Sequence, residues 1–220
     1  MIHPQTSARL TGALFLVPLL AYGTGNYLIA SLTAHYEDLA LITAARRQLM
    51  AGALLLLLNS ITVVVIAIRL YPLLKAQRRS IGLYYLCARI MEALILILGL
   101  LSLLQLFALG KGMGTNAADP YVTEMLYRLA TQGNFHAYQL AMIVLGLGSI
   151  PFCYLLLRSA LIPAPLAWTG LLGYGLLALG ACLELFGYDY GMVLSLPGGL
   201  FEVGLATWLM AKGWRSNTWK

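Results

Sequence analysis

Charged residues are scarce in this sequence, and their scarcity excludes most classes of soluble protein. Only 10% of the 220 residues are Asp, Glu, Lys or Arg, whereas about a quarter is usual for a soluble domain. Hydrophobic residues make up 60%, which is typical of a chain that crosses a membrane several times. The formal net charge of +6 does not indicate a nucleic-acid partner, because the basic residues lie in short segments between apolar stretches.

Cysteine and histidine are also too few for most cofactor chemistry. Cys87, Cys153 and Cys182 are isolated in apolar stretches, and no CxxC spacing indicates zinc or a redox pair. Haem with two histidine ligands would require His35 and His136 to meet, and no lysine lies at mid-span to bind retinal. The GxxxxGK[ST] and GxSxG motifs of nucleotide-binding proteins and serine hydrolases are missing. We therefore expect neither a cofactor nor a metal ion.

Six stretches are long and apolar enough to cross the hydrocarbon core of a bilayer, which takes about 20 helical residues. They span residues 10–32, 49–70, 81–108, 136–157, 166–186 and 192–211. The sequence therefore predicts an all-α fold, with one six-helix membrane domain over residues 1–220. Six crossings place both termini on the same side of the membrane.

The basic residues outside the spans indicate which side faces the cytoplasm. Most of them, including Arg9, Lys75, Arg78, Arg158 and Lys212, lie on the side of the termini. Loops that stay in the cytoplasm are enriched in Lys and Arg, so we expect both termini to be cytoplasmic.

The longest external connection covers about residues 110–135. It begins with the flexible sequence GKGMGTNAADP and continues as YVTEMLYRLA, in which Val122, Met125, Leu126 and Leu129 recur with helical spacing. This spacing predicts a short amphipathic helix on the outer surface of the membrane. The helix either joins two spans or acts as a lid over an outward-facing pocket.

Charged and polar residues occur in the middle of the predicted spans. Arg89 and Glu92 lie three residues apart and share one helix face, while Glu202 and Asn59 reach a similar depth from other spans. Because a charge at mid-membrane costs about 2.5 to 3.5 kcal/mol on insertion scales, we expect these side chains to face one another inside the bundle. One negative charge is left over, so we expect one glutamate to carry a proton.

A second polar group is predicted nearer the outer surface. His136 and Gln139 lie on one face at the start of the fourth span, Glu184 lies near the end of the fifth, and Asn26 reaches a similar level in the first. We expect His136 to line a cavity below the amphipathic helix. A glycine stripe within residues 170–180 predicts that a neighbouring helix packs closely there.

Four segments of the chain carry a pattern seen in a known family. They are ARLTGALFLV, ARIMEALIL, HAYQLAMIVLGLGSIPFCYLLLRSALIPAPLAWTGLLGYG and LPGGLFEVGLATWLMAKG. These segments resemble the bacterial membrane family called domain of unknown function 4386. The resemblance covers nearly the whole chain and implies a multi-pass protein of the bacterial cytoplasmic membrane, in which Arg89, Glu92, His136 and Glu202 match polar positions. It implies no activity.

Two classes of function fit these features, and they differ in what the buried charges do. In the first, that of a ligand-binding or transport protein, the polar site binds a small or lipidic ligand or couples to protons. In the second, the protein is structural or regulatory, and the network around Arg89 only fixes helix packing. An intramembrane enzyme ranks third. We favour the first class, and we expect membrane lipids as partners, with a homo-oligomer as a further option.

Overall fold

The computed structural model describes residues 4–33, 45–112 and 120–215, which form six α-helices. The helices are α1 (Pro4–Thr33), α2 (Arg46–Gln77), α3 (Arg79–Gly112), α4 (Pro120–Arg158), α5 (Ala164–Leu185) and α6 (Gly191–Ala211). Each contains a segment long and apolar enough to cross a membrane. The predicted all-α, multi-span fold is therefore confirmed. His35 and residues 113–119 of the predicted external loop lie outside the described residues.

The helices form a ring that follows chain order. Each helix packs against its neighbours in sequence, and α1 packs against α6 to close the ring. Among the described residues, α2 and α4 make the only direct contact across the ring, and it is a weak one. This arrangement turns one face of every helix towards a shared interior.

Two hydrophobic clusters hold the ring together. The larger cluster takes residues from all six helices and includes the buried side chains Leu74, Leu161 and Leu209 near the end of the ring that carries the chain termini. The smaller cluster takes residues from α1, α2, α3 and α4, including Leu49 and Leu103. It lies at the opposite end of the ring, here called the far end. The wall formed by α4, α5, α6 and α1 at the far end is therefore left for polar residues.

Glycine allows α5 and α6 to pack against each other with little space between their backbones. A Cβ atom at Gly173 would lie 2.6 Å from the backbone nitrogen of Gly198, which is closer than real contacts allow. Cβ atoms at Gly170 and Gly180 would lie 2.7 and 2.9 Å from side-chain atoms of α6. The predicted close packing along this glycine stripe is confirmed, and small residues are a usual means of joining helices in membranes.

The fourth helix is longer than the sequence predicted. Pro120–Arg158 is one helix of 39 residues, which corresponds to about 58 Å against a hydrocarbon core of about 30 Å. The prediction of a separate helix before the span is wrong, because the chain stays helical through Gly133, where a Cβ would contact Ser102 of α3. The apolar residues Val122 and Leu129 in the first part of α4 are exposed.

Candidate ligand site inside the helical ring

A cavity of about 500 Å³ lies at the far end between α1, α4, α5 and α6. Polar side chains in its wall are Asn26, Asn134, Gln139, Glu184 and Ser195. Aromatic and apolar side chains complete the wall, and they include Tyr22, Phe135 and Leu177. Small-molecule sites in proteins have volumes of about 300–1,000 Å³ and the same mixture of apolar walls with a few polar groups. We call this space the far cavity.

A second cavity of about 220 Å³ reaches the middle of the ring, and we call it the central cavity. Its wall contains Arg89, Glu92, Glu202 and Asn59. The four residues predicted to meet at mid-membrane therefore surround one space, although they come from three different helices. The insertion cost of a charge explains the placement of Arg89, Glu92 and Glu202, because each of these side chains avoids lipid by facing the interior.

Two tyrosines stand between the cavities. Tyr22 of α1 and Tyr138 of α4 line both of them, and their rings are stacked with centroids 5.5 Å apart. A third, small cavity of about 20 Å³ touches the same tyrosines, and its wall contains both Asn26 from the far cavity and Asn59 from the central one. The tyrosine pair therefore forms the boundary between the far and central cavities.

Arg89 and Glu92 form a buried ion pair on α3. Arg89 Nη1 lies 3.0 Å from Glu92 Oε2, and the two residues are 4% and 2% exposed. Arg89 Nε and Glu92 Oε2 are buried and have no hydrogen-bond partner within the described ranges. A buried polar atom in this state costs about 1–3 kcal/mol. The pair therefore offers one donor and one acceptor that a ligand could satisfy.

The position of this pair on α3 is set by its aromatic neighbour. Tyr85 lies four residues before Arg89, on the same helix face, and it is 1% exposed. Its ring stacks on Phe152 of α4 with centroids 4.6 Å apart. This contact turns the face that carries Arg89 and Glu92 towards the interior of the ring.

Glu202 reaches the central cavity from α6. Tyr174 of α5 donates a hydrogen bond of 2.8 Å from its hydroxyl group to Glu202 Oε1, and the Tyr174 ring packs edge-on against Phe201. Glu202 itself is half-buried. No basic side chain lies within ion-pair distance of Glu202 in residues 4–33, 45–112 and 120–215. Within these residues, the hydrogen-bond partner of the Glu202 carboxylate is a neutral hydroxyl group.

Glu184 and Gln139 both line the far cavity, but Glu184 has a structural contact as well. Glu184 Oε1 accepts a hydrogen bond of 2.8 Å from the backbone N–H of Gly191, the first residue of α6. A carboxylate at a helix N-terminus satisfies a free donor and interacts well with the helix dipole. Gln139 is buried, at 6% exposed.

The prediction that His136 lines a cavity is not supported by its position. His136 is exposed and lies beside Phe135, while Asn134, Tyr138 and Gln139 line the far cavity and His136 is not among its lining residues. The placement of His136 in the wall of this cavity was therefore wrong. The physical reason is helical spacing, because His136 projects about a third of a turn or more away from the centre of the face that these neighbours form.

The interior tyrosines were overlooked at the level of sequence. They are Tyr22, Tyr85, Tyr138 and Tyr174. A signal for two of them was available, since Tyr22 precedes Asn26, and Tyr85 precedes Arg89, by the four residues that place side chains on one helix face. Tyrosines spaced in this way from a mid-span polar residue indicate the interior of a bundle.

The donor set does not resemble a metal site. Within the described parts of the chain, no three His, Cys, Asp or Glu side chains are grouped so that they could hold a metal ion. The two carboxylates of the central cavity share it with a guanidinium group and with aromatic rings. This combination is suited to an organic ligand with polar groups at defined positions.

The fold and the cavities together define a multi-span membrane protein in which a ring of six helices encloses a polar interior. Residues 10–213 match the family model described as domain of unknown function, DUF4386. The chain belongs to this family, which confirms the resemblance inferred from its sequence. No curated protein and no solved structure shows significant similarity to the chain.

Proposed function

We propose that the protein binds a small or amphiphilic ligand inside the ring and that the ligand enters through the far cavity. The observation that carries this proposal is the far cavity of about 500 Å³, which adjoins the central cavity at Tyr22 and Tyr138. Its volume and its mixture of apolar walls with a few polar groups are typical of small-molecule sites. A space of this size with polar walls favours ligand binding over a purely structural role.

The arrangement of the buried charges supports the same choice. A network that fixes helix packing has to join different helices, whereas Arg89 and Glu92 are both on α3 and pair within it. The pair therefore does little to set the position of α3 relative to its neighbours. Contact between the charged groups and a ligand would explain why the pair is buried. Coupling to protons stays a prediction, and so does an intramembrane enzyme activity.

Native mass spectrometry of the full chain in a mild detergent tests this proposal. We expect a bound molecule to remain on the parent protein and to be lost from Ser195→Trp, since an indole at position 195 takes up part of the far cavity and narrows the space left for a ligand. The matched control is Leu196→Trp, because Leu196 is the next residue of α6, is 57% exposed and does not line the far cavity. The control should keep the bound molecule.

Two results would count against ligand binding. One is a parent protein that carries no molecule under any mild condition. The other is equal retention of the molecule by Ser195→Trp and Leu196→Trp, which would place the molecule on the lipid-facing surface.

We also propose an orientation, with both termini in the cytoplasm of a bacterium and the far end outside. Basic residues at the terminal end of the ring support it, including Arg78 between α2 and α3 and Arg79 at the start of α3. Arg69 reaches Ser7 from α2, with 3.3 Å between its Nη2 and the serine hydroxyl oxygen. The first part of α4 then projects above the outer surface, where its exposed apolar residues contact the interface. Membrane lipids are the expected partners, and a homo-oligomer stays a prediction.

A further inference from the structure

The walls of both cavities contain more acidic than basic side chains, and a bound cation would take the place of the proton expected on one glutamate. The central cavity has Glu92 and Glu202 against Arg89, and the far cavity has Glu184 with neither Lys nor Arg among its described lining residues. This balance is opposite to that of the whole chain, whose formal net charge is +6. Acidic walls in a low-dielectric interior attract cations and repel anions.

We infer that the ligand is an organic ammonium ion that also carries an oxygen acceptor, with its cationic group held between Glu202 and the rings of Tyr22 and Tyr138. This inference rests on the proposed function, since it names the chemical class of the ligand that the cavities bind. The same chemistry occurs in a free amino alcohol and in the headgroup of a lipid.

The size and walls of the central cavity favour an organic cation over a bare metal ion. A volume of about 220 Å³ far exceeds that of one inorganic ion, and the described residues offer no cluster of metal ligands. Aromatic faces beside a carboxylate are the groups that proteins use to recognise substituted ammonium ions, because the ring quadrupole attracts the positive charge. Tyr22 and Tyr138 line the central cavity together with Glu202, and because their rings stack on each other, the outer faces of this stack are the ones left for a cation.

The oxygen acceptor is inferred from Arg89. Its Nε is buried without a hydrogen-bond partner within the described ranges, and its side chain lines the central cavity. A ligand oxygen near Nε would accept this hydrogen bond. Glu92 pairs with the guanidinium group and compensates its charge, so Arg89 does not make the cavity attractive to anions.

A set of three probes that are matched in size and differ in charge tests the inference. They are choline, its neutral carbon isostere tert-butylethanol, and the tert-butylacetate anion. Binding is measured by isothermal titration to the full-length protein in detergent. We expect choline to bind about tenfold or more tightly than the neutral isostere, because the smallest couplings measured between close charge pairs at one well-studied interface correspond to about this factor. The anion should bind most weakly.

Variants then identify the side chains that produce the preference for choline. Glu202→Gln should reduce the preference for choline over tert-butylethanol to within about threefold, because it removes the unpaired carboxylate. The control is Glu124→Gln, which changes an acid that is exposed on α4 and pairs with Arg128. This control should keep the full preference. Tyr138→Leu provides a second test if Glu202→Gln folds poorly, since it removes an aromatic face and keeps an apolar contact.

The probes also separate the two sources of the ligand. If lysophosphatidylcholine displaces bound choline, the ligand is the ammonium group of a lipid headgroup. If lysophosphatidylcholine does not displace choline, the ligand is a soluble amine. The inference is overturned, and the proposed function still stands, if tert-butylethanol or the tert-butylacetate anion (3,3-dimethylbutanoate) binds as tightly as choline or more tightly. The same conclusion follows if none of the probes binds and the protein retains a neutral co-purified molecule. Failure of every probe on a protein without any bound molecule overturns both.

Discussion

Arg89 illustrates how a single residue can be placed from sequence and then explained by its neighbours. Its depth follows from counting 1.5 Å per residue along the third span, and the cost of exposing a charge to lipid predicts an interior position. The same reasoning placed Glu92, Glu202 and Asn59, which share the central cavity with it. It did not place the tyrosines, because a tyrosine is amphipathic and its exposure to lipid has no comparable cost.

His136 shows the limit of this reasoning at the residue scale. A polar residue at the start of a span has water or headgroups within reach, so no large energetic cost forces it inwards. Helical spacing then decides its direction, and the interior face of α4 runs through Tyr138, Gln139 and Met142. Burial of a charge is therefore predictable at mid-membrane and poorly predictable near the surface.

Arg89→Ala should destabilise the protein by about 3–5 kcal/mol, because removing one partner of a buried pair leaves the other uncompensated. The double variant Arg89→Ala with Glu92→Ala should recover part of this loss, since it removes both charges of the pair. Thermal or denaturant unfolding of the detergent-solubilised proteins measures both effects. A single variant that unfolds like the parent would show that Glu92 does not need Arg89 as its partner.

At the scale of helices, hydropathy predicts the portion in lipid better than it predicts the helix ends. All six spans were found because each needs about 20 apolar residues. The helices themselves run further, with α1 beginning at Pro4 and α4 at Pro120, because helical hydrogen bonding continues into polar sequence where no residue breaks it. Only contacts such as that between Gly133 and Ser102 show that this extension packs against α3.

The contact between α5 and α6 depends on Gly173, and one substitution on the same helix can serve as its control. Gly173→Leu should destabilise the protein by about 1–3 kcal/mol or more through overpacking, because its Cβ would meet the backbone of α6. Gly175→Leu should have little effect, since nothing lies within 4 Å of a Cβ at that position. Thermal unfolding of the two variants provides the comparison, and equal losses of stability would contradict the proposed packing.

At the scale of the whole molecule, the ring order of the helices could not be read from the sequence. Hydropathy gives each span separately and carries no information about which spans touch. Close packing at Gly173 and Gly198 joins α5 to α6, which are neighbours in the sequence. The contact between α1 and α6 that closes the ring joins segments nearly the full chain apart. The cavities exist because of this closure, so the site was predictable in its charges and unpredictable in its shape.

The proposed orientation predicts opposite labelling of the two ends of the ring. In a background without native cysteines, a membrane-impermeant maleimide applied to intact cells should label Tyr188→Cys in the α5–α6 turn. It should not label Arg78→Cys in the α2–α3 turn, although both positions are exposed. After the cells are opened, both should react. Labelling of Arg78→Cys alone in intact cells would reverse the orientation.

The central claim is that the interior of the ring is a binding site, and its most direct test is an electron cryomicroscopy map of the protein taken from its native membrane into nanodiscs. At a resolution that shows side chains, we predict non-protein density in the central cavity, in contact with Glu202 and the ring of Tyr138, and continuing into the far cavity beside Gln139. A map in which the helices close on each other, with the tyrosines filling the interior and no density beside Glu202, would contradict the account.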